Sequence, residues 1–490
     1  MEMTIEELIG TLQLPKLGLF LPELIVLITA FVVFTLDLVL SSHLKRKVLP
    51  SLSAIGYILA LLSLVVSAQN YGDTFYNSFT NDALAVLVKA FELIIALTVL
   101  AFSHRYFLAK ASFYGEFYYI LAFTLLGSMI LVSSYNLIII YVSLELVSIG
   151  FYILTALLRG SFISKEGAFK YLILGGLSIA LASYGAVFMY VYAGSIDLRE
   201  ILRYEGGDYH YLILGLVFFL IGFAIKIGAV PFHFWLPDAY QGAPTPVTAF
   251  MASVGKLAFF IPVVRIMPLI QEKFSLAWML TVGVIAAVTM LYGNLVALAQ
   301  KDIKRLLAYS SIAHSGYILA AVAVTQVIGL KAVIYFLVVY TVMSAGSFFV
   351  VALLERSESW NNEIREFSGL RFSVPYIAFS FMVYMFALLG VPPTVGFVGK
   401  TLVFMALSFD GLWWLAFIMI ISTAISTGYY VRLVVLMYMK DKEKDVSVPH
   451  RSYGEVVSLA FLTLLTVALA VFPGVVWNLL SPGAENLFAR

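Results

Sequence analysis

The feature that most constrains this 490-residue chain is a succession of long apolar runs separated by short polar breaks. Fourteen such runs begin near positions 19, 49, 83, 115, 136, 167, 210, 245, 275, 304, 328, 373, 411 and 453. A helix needs about 20 apolar residues to cross the hydrocarbon core, where no water satisfies free backbone groups. The runs therefore predict an all-α membrane protein, a bundle of about fourteen transmembrane helices. Only 12% of the residues are charged, about half the ~25% usual for soluble domains, which excludes a soluble fold. The stretch before the first run carries Glu2, Glu6 and Glu7 and lacks the basic start of a cleaved signal peptide, so the first run is expected to be an uncleaved anchor.

Orientation follows from Lys and Arg, which are retained on cytoplasmic connections. With the N-terminus outside, nineteen of the thirty fall on the cytoplasmic side, in groups such as Lys45, Arg46 and Lys47, or Lys301, Lys304 and Arg305. Seven fall on the other side: Lys16, Arg199, Arg203, Arg265, Lys273, Lys331 and Arg490. This division places both termini outside and requires an even number of spans.

Four basic residues remain, and all are lysines inside apolar runs: Lys89, Lys226, Lys256 and Lys400. Placing each at a membrane-helix centre costs about 2.5–3.5 kcal/mol on the insertion scale. Arginine stays protonated in any protein site, whereas a desolvated lysine can give up its proton. A row of such lysines predicts a proton path. Glu145 lies about nine residues into the fifth run, roughly 14 Å below its outer edge, and Lys256 reaches similar depth from the opposite side. If Glu145 faces Lys226, each stabilises the other's charge, and separating them would pass a proton on. A static ion pair holding helices together is the alternative; intramembrane ionisable groups favour the functional reading.

Other polar residues in the runs have plainer expectations. Lys89 and Glu92, three apart on one helix, are expected to satisfy each other. Glu23 and Asp37 mark the ends of the first run and are expected at the interfaces. His233, in a Pro-flanked break, is expected to hydrogen-bond freed backbone. His314, among Ser310, Ser311 and Ser315, is a candidate to continue a relay.

Two runs are broken by proline. FAIKIGAVPFHFWLPDAYQGAP has Pro231 and Pro237 after Lys226; ALLGVPPTVGFVGKTLVF has Pro392 and Pro393 before Lys400. Such breaks are tolerated where backbone is buried in protein or lines a wet cavity. They fall five spans apart, on helices of opposite direction, which points to inverted five-helix repeats covering spans 4–8 and 9–13. Two unrelated proline kinks are the alternative. The implied units are residues 1–110 (spans 1–3), 111–270 (first repeat), 271–440 (second repeat) and 441–490 (last span).

The chain has no cysteine, which excludes thiolate-bound iron–sulfur clusters, disulfides and a thiol nucleophile. A net charge of +2 leaves no basic surplus for nucleic acid. No phosphate-cradling loop, metal-ligand spacing or nucleophile with its base stands out, so no cofactor or metal is expected on this chain.

KIGAVPFHFWLPDAYQGAPTPVTAFMASVGK, KDIKRLLAYSSIAHSGYIL and GVPPTVGFVGK resemble the antiporter-like subunit N family of bacterial respiratory complex I, the proton-pumping NADH:quinone oxidoreductase. The resemblance covers nearly the whole chain and is clearest from the fourth span to the thirteenth. PDAYQGAP and SSIAHSGY favour subunit N over its L and M relatives and over cation/proton antiporter subunits, which share the lysine pattern. It implies that Glu145 is the fifth-helix glutamate, Lys226 and Lys400 the lysines of the broken seventh and twelfth helices, and Lys256 the central eighth-helix lysine. His314 would lie in the chain between Lys256 and Lys400. It also implies NADH, flavin, iron–sulfur clusters and quinone on other subunits, L- and M-type and small membrane subunits as partners, and a bacterial inner membrane as the location. A cation/proton (Na+/H+) antiporter subunit and a purely structural scaffold are the alternatives.

Overall fold

All fourteen apolar runs are helical in the computed structural model, which describes residues 15–110, 113–443, 446, 448, 452–474 and 477–478. Glu2, Glu6 and Glu7, and Lys444, Arg451 and Arg490 among the sorted basic residues, lie outside the described residues. The first spans are α1 (Leu21–Val39), α2 (Ser42–Ser67), α3 (Ala83–Ala109), α4 (Glu116–Leu131), α5 (Leu137–Thr155) and α6 (Phe162–Ala193). A short hairpin of β1 (Gly72–Thr74) and β2 (Phe79–Asn81) joins α2 to α3. After α7 (Leu198–Arg203), the seventh span is split into α8 (Tyr209–Lys226) and α9 (Trp235–Gly242). Next come α10 (Thr245–Ile270), α11 (Lys273–Leu298), α12 (Ile303–Val322) and α13 (Val327–Leu354). The twelfth span is split into α14 (Pro375–Leu389) and α15 (Val395–Phe409), and α16 (Trp413–Met439) and α17 (Tyr453–Val471) complete the bundle.

Among the described residues, eleven helices are long and apolar enough to cross a membrane by themselves. The other three runs are the 16-residue α4, the serine- and lysine-bearing α12, and the α14–α15 pair of 15 residues each. Polar N-caps set many helix starts: Asp82 before α3, Asn136 before α5, Ser161 before α6 and Asp302 before α12 accept backbone N–H bonds. A capping box of Ser452 and Glu455 starts α17.

The most apolar segments of α10 and α13 are buried on every side, whereas the other long spans keep an exposed face. A helix that is hydrophobic all round belongs at the centre of a bundle. Lys256, on α10, is therefore held at the centre of the molecule.

The repeat is visible in the backbone. Asn136 forms an antiparallel bridge with Asp197, and Asp302 forms one with Glu363. The hydrogen bonds match: Leu137 N to Ile196 O (2.8 Å) and Leu198 N to Tyr135 O (3.0 Å), then Ile303 N to Asn362 O (2.9 Å) and Ile364 N to Lys301 O (2.9 Å). One constant shift in number carries every member of the first set onto the second. Helices α5 and α12, which these bridges introduce, are five crossings apart and run in opposite directions.

Both breaks follow a left-handed glycine, Gly228 (φ +69°) and Gly390 (φ +84°), a conformation in which a Cβ would be strained. Pro237 does not contribute to the first break. It lies in the first turn of α9, where its missing N–H would have no intrahelical partner. Side chains satisfy the freed backbone: Trp235 Nε1 donates to Ile225 O (2.8 Å), Ser315 Oγ to Ile227 O (2.8 Å), and Val230 N to Thr289 Oγ1 (3.1 Å). A third irregularity had no proline to announce it: residues Met251–Gly255, immediately before Lys256, form a π-helical turn, a feature frequent at functional sites.

Several charges sit elsewhere than expected. Lys89 pairs with Glu23 on α1 at 2.7 Å, not with Glu92, and Glu23 is fully buried rather than interfacial. Asp37 does keep a boundary position, 3.2 Å from Lys45. Arg265 is no outer-loop charge: it is buried, with Nη1 and Nη2 on Asp82 (2.7 and 3.0 Å) and Nε donating to Val132 O (2.8 Å). Lys304 is likewise buried, donating to Ala243 O at 2.6 Å and standing 4.0 Å from Glu355. Burying such groups is tolerable only because each has a partner.

Candidate functional site

Lys226 is the last residue of α8, at the first break, and its side chain reaches α5. Its ammonium donates to Ser148 Oγ (2.7 Å) and to Tyr152 OH (3.2 Å), residues one turn apart on α5. Glu145 does not form an ion pair with Lys226 among the described residues; it lies one turn before Ser148 on the same helix, with its charge within electrostatic range. The carboxylate is half-buried, and its Oε2 is enclosed without a hydrogen-bond donor. Val142 and Ile149, on either side of it along α5, are exposed on the flank of the bundle.

Lys226 and Lys256 line one small cavity with Tyr171, Trp235, Tyr240 and Met251. Its volume is about 10 Å³, the size that just admits one water. On the far side of it, Lys256 donates to both oxygens of Ser311 on α12, at 2.7 Å to Oγ and 2.5 Å to the main-chain carbonyl. Tyr340 of α13 donates its hydroxyl to Ser311 Oγ at 2.8 Å and lays its ring 4.8 Å from the Lys256 ammonium.

His314, one turn beyond Ser311, packs against the rings of Tyr340 and Tyr317. Its Nε2 meets Tyr430 OH of α16 at 3.3 Å, and Nδ1 is buried without a partner. Tyr430 also bonds Ser310 Oγ. Lys256 and Lys400 are both close enough to His314 to act on it electrostatically. Lys400, on α15, donates to Leu389 O, the last carbonyl before the second break, at 2.8 Å, with its ammonium 4.6 Å from the Tyr317 ring.

The residues picked out in the sequence thus fall along one line, Lys226, Lys256, His314 and Lys400, with Glu145 beside its first member. The links between them are Ser311, one of the serines noted around His314, and five residues the sequence did not single out: Ser148, Tyr152, Tyr340, Tyr430 and Tyr317. Tyr317 OH in turn accepts from Asn294 Nδ2 (3.1 Å), and Asn294 Oδ1 accepts from Tyr429 OH (2.7 Å). Among 29 tyrosines no local pattern marks these; for Ser148 and Tyr152 the one available signal was their placement one and two turns after Glu145.

Lys400 borders an open groove of about 380 Å³ between α15 and α16, lined by Phe397, Thr401, Met419, Thr423 and Thr427. Thr401 and, on α16, Met419, Thr423 and Thr427 are mid-helix positions, so the groove opens on the flank of the bundle. At the α9 end of the line, Asp238 receives Lys170 Nζ and Arg305 Nη1, each at 2.6 Å, which ties α6 and α12 to the broken span.

The family described as NADH:quinone oxidoreductase/Mrp antiporter, TM, matches residues 134–426, a stretch that contains all five candidate residues. Subunit N 2 of the NADH-quinone oxidoreductase of Aquifex aeolicus is 68% identical over 486 residues, covering 99% of this chain and all of that relative. The chain belongs to the subunit N family. A chain of respiratory complex I from Thermus thermophilus, solved with bound aureothin, matches with a TM-score of 0.80 at 30% identity, covering 93% of this chain and 98% of that one. A chain of the Mrp complex from Dietzia sp. DQ12-45-1b matches with a TM-score of 0.85 at 19% identity, covering 96% and 98%, and so shares the subunit N fold. Like other members of the family, this is an integral membrane protein.

Proposed function

We propose that this chain is the proton-translocating membrane subunit of an NADH:quinone oxidoreductase, moving protons along Lys226, Lys256, His314 and Lys400 under the influence of Glu145. It lies in a bacterial inner membrane with both termini on the outer side, among L- and M-type and smaller membrane subunits. Its units are residues 1–110, the repeats 111–270 and 271–440, and the last span, 441–490. NADH, flavin, iron–sulfur clusters and quinone act on other subunits, and quinone reduction there supplies the energy.

The observation that carries this reading is the line of buried lysines held by hydroxyls and carbonyls rather than by carboxylates. An ammonium locked to a carboxylate has little freedom to change state. A serine hydroxyl accepts from an ammonium and can turn to donate to a neutral amine, so Ser148 and Ser311 suit both forms of their lysines. Lys226 exchanges a proton with cytoplasmic water near the α8–α9 break, Lys256 and His314 pass it laterally, and Lys400 delivers it toward the outer side. Glu145 and the Lys400 groove both open on the flank of the bundle, where neighbouring subunits would cover them.

Lys256→Ala in the assembled enzyme tests this. The protons moved per NADH oxidised, followed in inverted membrane vesicles, should collapse while the enzyme stays assembled. An unchanged ratio would overturn the assignment.

A further inference from the structure

Outside the stretch matched by the family lies a second set of buried charges. Glu23 of α1, Lys89 of α3 and Glu92 of α3 are all fully buried. Glu23 and Lys89 pair at 2.7 Å, and Ser128 of α4 donates its hydroxyl to Glu92 Oε1. Glu92 Oε2 and Glu23 Oε2 are enclosed with no hydrogen-bond donor.

The charge count of this cluster does not close. One lysine neutralises one carboxylate and leaves the other in excess. No further charge is at hand for Glu92 among the described residues, because the other charges on the helices packed around α3 lie at helix ends or are held by partners of their own. In α2 these are Lys45, Arg46 and Lys47; in α4, Glu116, which is held by Arg159; in α13, Lys331; in α17, Glu455, which is held by Arg356. In α10, Lys256 is held by Ser311 and Arg265 by Asp82, the cap of α3, and in the β-hairpin Asp73 is held by Arg199. An isolated carboxylate in such surroundings takes up a proton rather than stay charged.

We propose that Glu92 is a proton-binding site, with Glu23 and Lys89 as its link to the β-hairpin side of the membrane. The three groups descend from that side in order. Glu23 is the third residue of α1, while Lys89 and Glu92 lie about 9 and 14 Å into α3 at 1.5 Å per residue. Above them the hairpin forms an aromatic cover, with Phe79 4.7 Å from the Lys89 ammonium and Phe20 edge-on to both Phe75 and Phe79. With Glu92 protonated, Glu23 ionised and Lys89 charged, the cluster is neutral. Loss of that proton leaves it with one negative charge, and the proton departs past Lys89 and Glu23. This site is separate from the Lys226–Lys400 line and holds its proton whether or not that line works.

Difference infrared spectra of the assembled complex in sealed vesicles, taken across a pH jump on the β-hairpin side, test the proposal. A protonated buried carboxyl gives a carbonyl-stretch band that shifts in D2O. The band should be present in the parent protein, absent in Glu92→Gln, and unaltered in Lys256→Ala, which disables the other line. Ser128→Ala, which leaves Glu23, Lys89 and Glu92 in place, should move the band by removing the hydroxyl on Oε1, and it carries the test should Glu92→Gln fail to assemble. A spectrum without the band, a band that survives Glu92→Gln or one unmoved by Ser128→Ala would overturn the proposal and leave the cluster as a static brace. A band responding only to pH on the opposite side would overturn the assigned route.

Discussion

Lys256 donates to both the hydroxyl and the main-chain carbonyl of Ser311, at 2.7 and 2.5 Å. The constant shift that carries Asn136 onto Asp302 and Asp197 onto Glu363 also carries Glu145 onto Ser311 and Ser148 onto His314. The two repeats thus present different chemistry from equivalent places. In the first, α5 offers a carboxylate and a hydroxyl near Lys226; in the second, α12 offers a hydroxyl to Lys256 and an imidazole near Lys400.

Ser311→Ala leaves Lys256 with the carbonyl, which accepts but cannot donate. A hydrogen bond to a charged group contributes about 1.5–3 kcal/mol, so proton flux should slow about tenfold or more while Ser311→Thr keeps most of it. Flux per NADH oxidised in vesicles decides this, with immunoblots verifying equal assembly.

Glu145→Ala should abolish coupled proton movement without loss of assembly, because the carboxylate holds no helix by an ion pair. Unchanged pumping in well-assembled enzyme would remove Glu145 from the relay. A fall in subunit content would instead reveal a structural role at the flank of the bundle.

Glu23→Ala removes the carboxylate that pairs with the fully buried Lys89 ammonium at 2.7 Å and leaves Glu92, one turn along α3, as the remaining counter-charge. Removing one member of a buried ion pair costs about 3–5 kcal/mol, so the variant should melt earlier or accumulate poorly. Pairing it with Lys89→Met should restore most of the loss. Thermal melting of the purified complex, followed by release of this subunit, measures both.

Trp235→Phe keeps the stack on Tyr171, whose ring lies 4.0 Å away, and loses the N–H that satisfies Ile225 O in the first break. Ile225 O keeps the Gly228 N–H at 3.2 Å and loses its second donor, a hydrogen bond that contributes about 0.5–1.5 kcal/mol. The expected result is a lower melting temperature with a modest drop in flux, read from the same two measurements.

The sequence by itself determined the fourteen spans, the two broken helices and the five ionisable residues of the candidate line, since apolar length, proline and a charge inside an apolar run are local signals that the membrane makes costly to violate. It even placed the repeat, through the matched breaks. It did not determine partners. Lys226 meets Ser148 and not Glu145, Lys89 meets Glu23 and not its helical neighbour Glu92, and Arg265 and Lys304 leave the water for Asp82 and the Ala243 carbonyl. Those choices join residues far apart in the chain, and only the packing of helices around α10 and α13 decides which face of each helix looks inward. In a bundle whose helices are apolar nearly all round, periodicity carries little information about facing, so the hydroxyls linking the lysines became visible only in the tertiary structure.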